Sequence, residues 1–286
     1  MAVLFESSEM TSSQRYRDFR DHPYLESHRN LLEEMWCLFE PYSDSNFIRE
    51  FRLQFDKRVW EMHLVVTLLE CDHRISSFKS GPDILVTTKP PNVWVEAVMP
   101  GSGAGPDSPT DVADRGEGGW VNDDRIILRF RSAIEEKYGK YLRYLDTGII
   151  EEKDPYVIAI NGSDVPLSIF EGSLPRILSC VLALGIVNYV YPSGEPNNGY
   201  PEIGYRESIE KASGSPVATD IFMGSEYSGI SAVLFSNTSA ENIARPLGKD
   251  FVLVRNHNAA NRISQGFLSI GSEWWMDSNE LRRELY

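Results

Sequence analysis

Two short apolar runs, each bounded by turn-forming residues and each holding one acid, constrain the fold of this chain most. The runs are DILVTT and VWVEAV, both within residues 81–100. Lys-Pro-Pro-Asn separates them and Ser-Gly-Pro precedes them, so both are predicted to be strands, with RISSFK as a third. Apolar residues recur near the helical period across residues 47–71, which predicts one long helix before the strands. A helix followed by a strand meander is an α+β or α/β beginning.

The rest of the chain alternates between helical and strand patterns. RIILRFRSAIEEKYGKYLRYLDTGII predicts a helix that ends near Gly148, PYVIAIN a buried strand, and LPRILSCVLALG a helix that Gly185 ends. GISAVLFSN and DFVLVRN are further strand candidates. We therefore expect the α/β class with a mixed central sheet, divided into an N-terminal helical extension (1–46), a core (47–185) and a C-terminal α/β elaboration (186–286) packed on that core in the same domain.

The bulk composition favours a soluble cytoplasmic protein. No run approaches the roughly 20 apolar residues that span a bilayer, and the N-terminus lacks the pattern of a secretory signal. The three cysteines are odd in number and scattered, which is typical of reduced thiols. The net charge of −14 argues against a membrane partner and against a nucleic-acid footprint over the whole surface. A local basic groove is still compatible with this charge.

Each of the two apolar runs carries one acid, Asp83 or Glu96. Side chains alternate along a strand, so Glu96 is predicted to point with Trp94 and Val98, while Asp83 opens its strand at the rim. A hairpin would bring the two carboxylates near one another. Two anions a few ångströms apart repel unless a cation or a proton lies between them, and magnesium prefers such oxygen ligands.

A third acid, Glu61, lies next to Trp60 and about one turn before Leu64 on the predicted helix. A charged residue near an apolar stripe is costly unless it is paired or coordinates a cation. The alternative is a salt bridge to an arginine such as Arg58 or Arg74, or exposure at the edge of the stripe. The residues alone leave both interpretations open.

Glu61, Pro82-Asp83 and Glu96-Ala97-Val98, carried on a helix and two strands, resemble the motif of the PD-(D/E)XK phosphodiesterase superfamily. The resemblance covers roughly residues 55–145 and implies a restriction-endonuclease-like core: a helix, a three-strand meander, a second helix and a further strand. It also implies that Asp83 and Glu96 bind Mg²⁺ or Mn²⁺ and that Glu61 completes the site directly or through water. In such enzymes the metal activates a water and stabilises charge on the scissile phosphate.

The chain departs from this family where a lysine is expected, because Val98 occupies that position. The following helix offers Lys137, which flanks the buried stripe, and Lys140, which lies further round. Lys79 is a third candidate because of its closeness to Asp83. A lysine stem can run along apolar surface and bring its ammonium to a cleft, but each could equally be a solvated surface lysine.

The first hypothesis is therefore a metal-dependent nuclease whose substrate is nucleic acid, with DNA preferred to RNA. Its predicted catalytic residues are Glu61, Asp83, Glu96, Lys137 and Lys140. The second is a nuclease-like module that no longer cleaves and binds nucleic acid or protein. The third is an unrelated α/β enzyme whose substrate lies over the Gly-rich loop at 101–119. Formation of a homodimer and the role of residues 186–286 are left open.

Overall fold

The computed structural model describes residues 3–5, 11–76, 81–109, 121–191, 193, 199–278 and 280–286. The helices are α1 (Gln14–Asp21), α2 (Glu26–Phe39), α3 (Phe47–Leu53), α4 (Phe55–Glu70), α5 (Asp123–Asp146) and α6 (Arg176–Val181). The strands are β1 (Ile75–Ser76), β2 (Ile84–Val86), β3 (Val93–Val98), β4 (Tyr156–Asn161), β5 (Leu184–Val190), β6 (Tyr200–Tyr205), β7 (Ser208–Glu210), β8 (Pro216–Ala218), β9 (Ala232–Ser236), β10 (Val252–Arg255), β11 (Ser272–Asp277) and β12 (Glu280–Leu285). Short 3₁₀ turns follow α1 and α2.

An eight-stranded mixed sheet forms the centre of the molecule, in the order β1-β2-β3-β4-β9-β10-β11-β12. Strands β1, β2 and β3 make an antiparallel meander, as predicted, whereas β3, β4 and β9 run parallel. Parallel neighbours need a long crossover, and α5 lies within the connection from β3 to β4. The mixed α/β class is confirmed.

Helices cover both faces of the sheet and divide the apolar core into two layers. Helices α1 to α4 pack on one face, where the layer includes Val95 and Val157. Helices α5 and α6 pack on the other face, where it includes Trp94 and Ile158. Neighbouring strand residues therefore belong to opposite layers, because side chains alternate along a strand. The C-terminal strand β9 pairs directly with β4, so residues beyond 186 extend the same sheet.

The single helix predicted over residues 47–71 is wrong. Gln54, with φ −125° and ψ 51°, leaves the helical region and separates α3 from α4. The break accompanies an aromatic cluster at the two helix ends. The rings of Phe51 and Phe55 meet edge-on at 5.1 Å, and both also contact Phe5. Burial of these rings favours the bent backbone over a continuous helical hydrogen-bond ladder.

The prediction that Gly185 ends a helix is also wrong. Helix α6 ends four residues earlier in the chain, and Ala183 has a positive φ of 58° that turns the backbone into β5. Gly185 lies within β5, where an added Cβ would come within 3.1 Å of the Gly204 carbonyl oxygen. The glycine therefore permits close pairing with β6 instead of capping the helix.

Three predictions fall partly or wholly outside the described residues. Lys79 and the end of the RISSFK segment belong to residues 77–80, and residues 110–119 of the Gly-rich loop are likewise not described. Within the described part of the chain, no helix combines the length and the apolar character needed to cross a membrane.

Candidate active site at the edge of β3

The β2–β3 hairpin brings Asp83 and Glu96 to the same end of the sheet. Ile84 pairs with Val95 in the antiparallel register, so Asp83 and Glu96 are the next pair along. The backbone N–H of Ala97 donates to Asp83 Oδ2 at 2.7 Å, which fixes the position of the aspartate carboxylate. The predicted proximity of the two acids on neighbouring strands is confirmed.

Glu96 points into the layer beneath α5, as the strand alternation predicts. Trp94 belongs to the same layer and Val98 packs against it, whereas Val95 and Ala97 face the other layer. The side chain of Glu96 has no exposed surface. A carboxylate at such a position needs compensating charge, because burying an isolated ion is expensive.

Two lysines of α5 supply that charge. Lys137 Nζ lies 3.0 Å from Glu96 Oε1, and Lys140 Nζ lies 2.6 Å from the same oxygen. Three positions apart on a helix, the two side chains leave neighbouring points of one face. Both lysines predicted from the sequence are therefore brought to one carboxylate, and neither is a free surface lysine.

The two ammonium groups differ in their surroundings. The Lys137 side chain is 12% exposed and that of Lys140 is 36% exposed. Burial lowers the pKa of Lys140, but its hydrogen bonds to Glu96 and Tyr144 and the attraction of the carboxylate outweigh burial and raise the pKa above its ordinary value. Lys140 is thus held firmly in its charged form.

The second oxygen of Glu96 has no partner. Glu96 Oε2 is buried, and no donor in the described residues reaches it. A buried acceptor without a hydrogen bond costs roughly 1–3 kcal/mol. One oxygen is therefore shared between two cations, while the other is left for a further cation or donor.

Asp83 has a raised pKa. Solvent reaches this residue, but protein surrounds most of its carboxyl group. This desolvation is the largest cause of the raised pKa. The negative charge of Glu96 raises it further, whereas the Ala97 N–H and the ammonium groups of Lys137 and Lys140 lower it. The pair of acids is thus close enough for mutual repulsion, which a bound cation would relieve.

Glu61 forms the salt bridge that the sequence offered as its alternative role. Arg58 pairs with Glu61 and also with Glu50. Burial raises the pKa of Glu61, and Arg58 lowers it. The charge of Asp83 raises the pKa of Glu61 further, so the two carboxylates repel each other. The structure does not bring three or more His, Cys, Asp or Glu side chains together as metal ligands anywhere in the described ranges. The metal-binding role of Glu61 stays a prediction.

A cavity of about 450 Å³ opens beside these residues. Asp83, Glu61, Lys137 and Val98 all line it, so the position of the expected lysine does face the site. The charged lining side chains are four basic and three acidic: Lys57, Arg58, Arg129, Lys137, Glu61, Asp83 and Glu136. The cavity therefore lacks the acidic excess of the chain as a whole.

One lining residue, Arg129, is not among the site residues predicted from the sequence. Its Nε donates to the Gly101 carbonyl oxygen at 2.9 Å, which ties α5 to the loop after β3. Arg129 and Lys137 are eight positions apart, about two helical turns, and therefore lie on a similar face of α5. This spacing from Lys137 is the feature of the sequence that could have predicted Arg129 as a site residue.

Comparison with known proteins gives no further identification. No protein-family model, curated protein or solved structure matches the chain.

Proposed function

We propose that this protein is a metal-dependent phosphodiester hydrolase acting on nucleic acid, with DNA as the first substrate to test and RNA as the second. The observation that carries the proposal is the convergence of Lys137 and Lys140 on Glu96, next to Asp83. Two carboxylates and two ammonium groups thereby lie together, and two of these residues, Asp83 and Lys137, line the cavity. The cations come from α5 instead of position 98.

The donor set fits Mg²⁺ or Mn²⁺. Mg²⁺ is bound in many sites by one or two carboxylates and retains several waters, so a third protein ligand is not required. Asp83 and Glu96 would hold the metal. Glu96 Oε2 has no partner in the described chain, and the negative charges of Asp83 and Glu96 repel each other until a cation binds. When bound, the metal would activate a water and stabilise charge on the phosphate.

The two lysines take different roles in this proposal. Lys137 lines the cavity, so its ammonium can hold a phosphate oxygen or orient a water there. Lys140 makes the shorter contact with Glu96 and does not line the cavity, so it neutralises and positions that carboxylate. Lys137 is the catalytic candidate, and Lys140 is a positioning residue.

The order of elements supports the same proposal. Helix α4, the β1–β3 meander, α5 and β4 follow one another in the order that the restriction-endonuclease-like core has. Strand β4 lies parallel to β3, and α5 crosses between them. A fold supports many chemistries, so this agreement adds to the site argument without replacing it.

Cleavage assays test the proposal. Supercoiled DNA, linear DNA, single-stranded DNA and RNA would each be incubated with the protein in Mg²⁺, Mn²⁺ or EDTA, beside Asp83→Asn and Glu96→Gln. Glu202→Gln, an exposed acid of β6, is the matched control. We expect metal-dependent cutting that both site variants abolish and the control retains. Absence of cutting on all four substrates, or cutting that survives Asp83→Asn, would contradict the proposal.

A second candidate function is a nuclease-like module that binds nucleic acid or protein without cleaving. It is favoured by the ion pairs themselves, since two lysines already compensate the buried Glu96 without a metal. Val98 also lines the cavity where the family's lysine is expected. Tight binding to nucleic acid in EDTA, with no cutting in Mg²⁺ or Mn²⁺, would favour this candidate.

A further inference from the structure

A second cavity, of about 880 Å³, adjoins the candidate active site. The two cavities share three lining residues of α5, namely Arg129, Ser132 and Glu136. The other wall of the second cavity comes from β8 and the loop that follows it, including Val217 and Tyr227. Its volume lies within the roughly 300–1,000 Å³ that small-ligand pockets occupy. A strand bound at the carboxylates could therefore place an adjacent group in this cavity.

Arg131 is the distinctive residue of the second cavity. It is 3% exposed, its Nε donates to the Ala218 carbonyl oxygen at 2.7 Å, and its guanidinium lies 5.5 Å from the centre of the Tyr227 ring. Its Nη1 is buried and has no hydrogen-bond partner among the residues described. A buried donor left unpaired is costly, so an acceptor on a bound molecule would be favoured here.

The charges around this cavity select against a phosphate. Five acidic residues line it beside three basic ones: Asp107, Glu135, Glu136, Asp220, Glu226, Arg129, Arg131 and Lys211. Anions repel one another in such a setting, whereas carboxylates accept N–H donors well. The apolar part of the wall, with Leu128 and Ile221, suits a flat uncharged ring. The preferred occupant is neutral and carries both N–H donors and an acceptor.

We infer that this cavity binds a guanine base of the substrate strand. Guanine O6 can accept a hydrogen bond from Arg131 Nη1, which has no partner among the described residues, and arginine is a frequent partner of guanine. Its ring N–H and amino group are donors for the carboxylates, and its flat ring suits the apolar part of the wall. The inference rests on the proposed function in taking the base from a nucleic acid whose phosphate lies at Asp83 and Glu96. Enzymes that modify a base extrude it from the duplex into a pocket, so a protein cavity can hold an unstacked base.

Nucleoside binding to the full chain tests this inference. Guanosine, adenosine and cytidine would be titrated in EDTA, with binding followed by ligand-observed NMR. Gly224 lines the cavity, and no atom lies within 4 Å of an added Cβ there, so Gly224→Trp adds a bulky side chain at the cavity wall without a steric conflict at Cβ. Gly172→Trp is the matched control, because Gly172 has the same open surroundings and does not line the cavity. Circular dichroism confirms that both variants fold.

We expect guanosine to bind the wild type and the control, with adenosine and cytidine about tenfold weaker or more, and Gly224→Trp to lose guanosine binding. Equal binding of the three nucleosides, no guanosine binding, or unchanged binding in Gly224→Trp would overturn the inference. The readout needs neither metal nor cleavage. Guanosine binding by a protein that never cuts would therefore overturn only the proposed hydrolase, and cutting without guanosine binding would overturn only the guanine site.

Discussion

Lys140 Nζ lies 2.6 Å from Glu96 Oε1, although 44 positions separate the two residues in the chain. Lys137 reaches the same oxygen from one turn earlier on α5. In the PD-(D/E)XK motif that this sequence resembles, the lysine follows the glutamate on the same strand, and the resemblance would put Val98 at that position. Lys137 and Lys140 of α5 thus place positive charge beside Glu96 of β3, a strand that has no basic residue of its own.

The two lysines should stabilise the fold only while Glu96 is charged. We expect the double variant Lys137→Met/Lys140→Met to lose about 3–5 kcal/mol of unfolding free energy, because it leaves a buried carboxylate uncompensated. Adding Glu96→Gln should recover most of that loss. Urea denaturation measures all three free energies.

The matched control for this prediction is Lys153→Met. Lys153 pairs with Glu151, and both side chains are about 70% exposed, so its loss should leave the unfolding free energy nearly unchanged. If the Lys137→Met/Lys140→Met variant were as stable as this control, the two lysines would not be compensating Glu96.

Val98→Lys should rescue activity that Lys137→Ala removes. Val98 and Lys137 line the same cavity, so a lysine at either position can present its ammonium there. We expect Lys137→Ala alone to lower turnover about 10²-fold with metal affinity nearly unchanged, and Val98→Lys in that background to restore at least part of the loss. Initial rates of DNA cleavage measure the effect.

Ile186→Lys in the same background is the control for the rescue, because Ile186 is exposed on β5 and does not line the cavity. Unaltered turnover in Lys137→Ala would remove Lys137 from the mechanism. Rescue by Ile186→Lys would show that added positive charge anywhere on the chain suffices.

The local parts of the site follow from the sequence because they depend on short-range periodicity. The two-residue repeat of a strand sets the face of Glu96, and the turn-forming residues between β2 and β3 set its neighbour Asp83. The helical period of α5 identifies the buried stripe. It does not identify which lysine reaches Glu96, since that depends on how α5 is rotated against the sheet. In the structure, both Lys137 and Lys140 reach Glu96.

The less local features could not be read in this way. Glu61 has an arginine three positions earlier, and helical spacing permits the Arg58 pair as readily as metal binding. The break at Gln54 depends on aromatic contacts with Phe5, far away in the chain. Strand β9 pairs in parallel with β4, which lies about 70 positions earlier in the chain, and no periodic pattern in the sequence predicts that pairing.

His63 should make the fold less stable as the pH falls. Burial lowers its pKa from 6.5 to about 4, although the charge of Asp250 opposes this. Between these values the unfolded chain binds a proton that the folded chain does not, so this contribution is present above pH 6.5 and is lost as the pH falls toward 4. The loss amounts to about 3 kcal/mol at most. Urea denaturation across this range measures it.

His63→Phe should flatten this part of the pH dependence, because phenylalanine cannot take up a proton in the unfolded chain. The ring would remain among Trp60 and Phe251, which surround His63. His28→Gln, on the partly exposed face of α2, is the control. An identical pH slope in His63→Phe and the wild type would contradict the prediction.

Gly271→Ala should destabilise the protein by several times more than Gly172→Ala. Gly271 has a φ of +83°, and an added Cβ would lie 2.5 Å from the Phe251 carbonyl oxygen, a backbone atom that cannot move aside. Gly172 has no atom within 4 Å of that position. We expect a loss of about 1–3 kcal/mol or more for Gly271→Ala by urea denaturation. Similar stabilities of the two variants would contradict the backbone conformation at Gly271.

Titration with Mn²⁺ in the absence of nucleic acid tests most directly whether Asp83 and Glu96 form one metal site. Calorimetry would compare the wild type with Asp83→Asn, Glu96→Gln and the Glu202→Gln control. We expect one site in the wild type and the control, and loss of that site in each of the two other variants. Wild-type protein that binds no Mn²⁺, or binding that persists unchanged in Asp83→Asn, would contradict it.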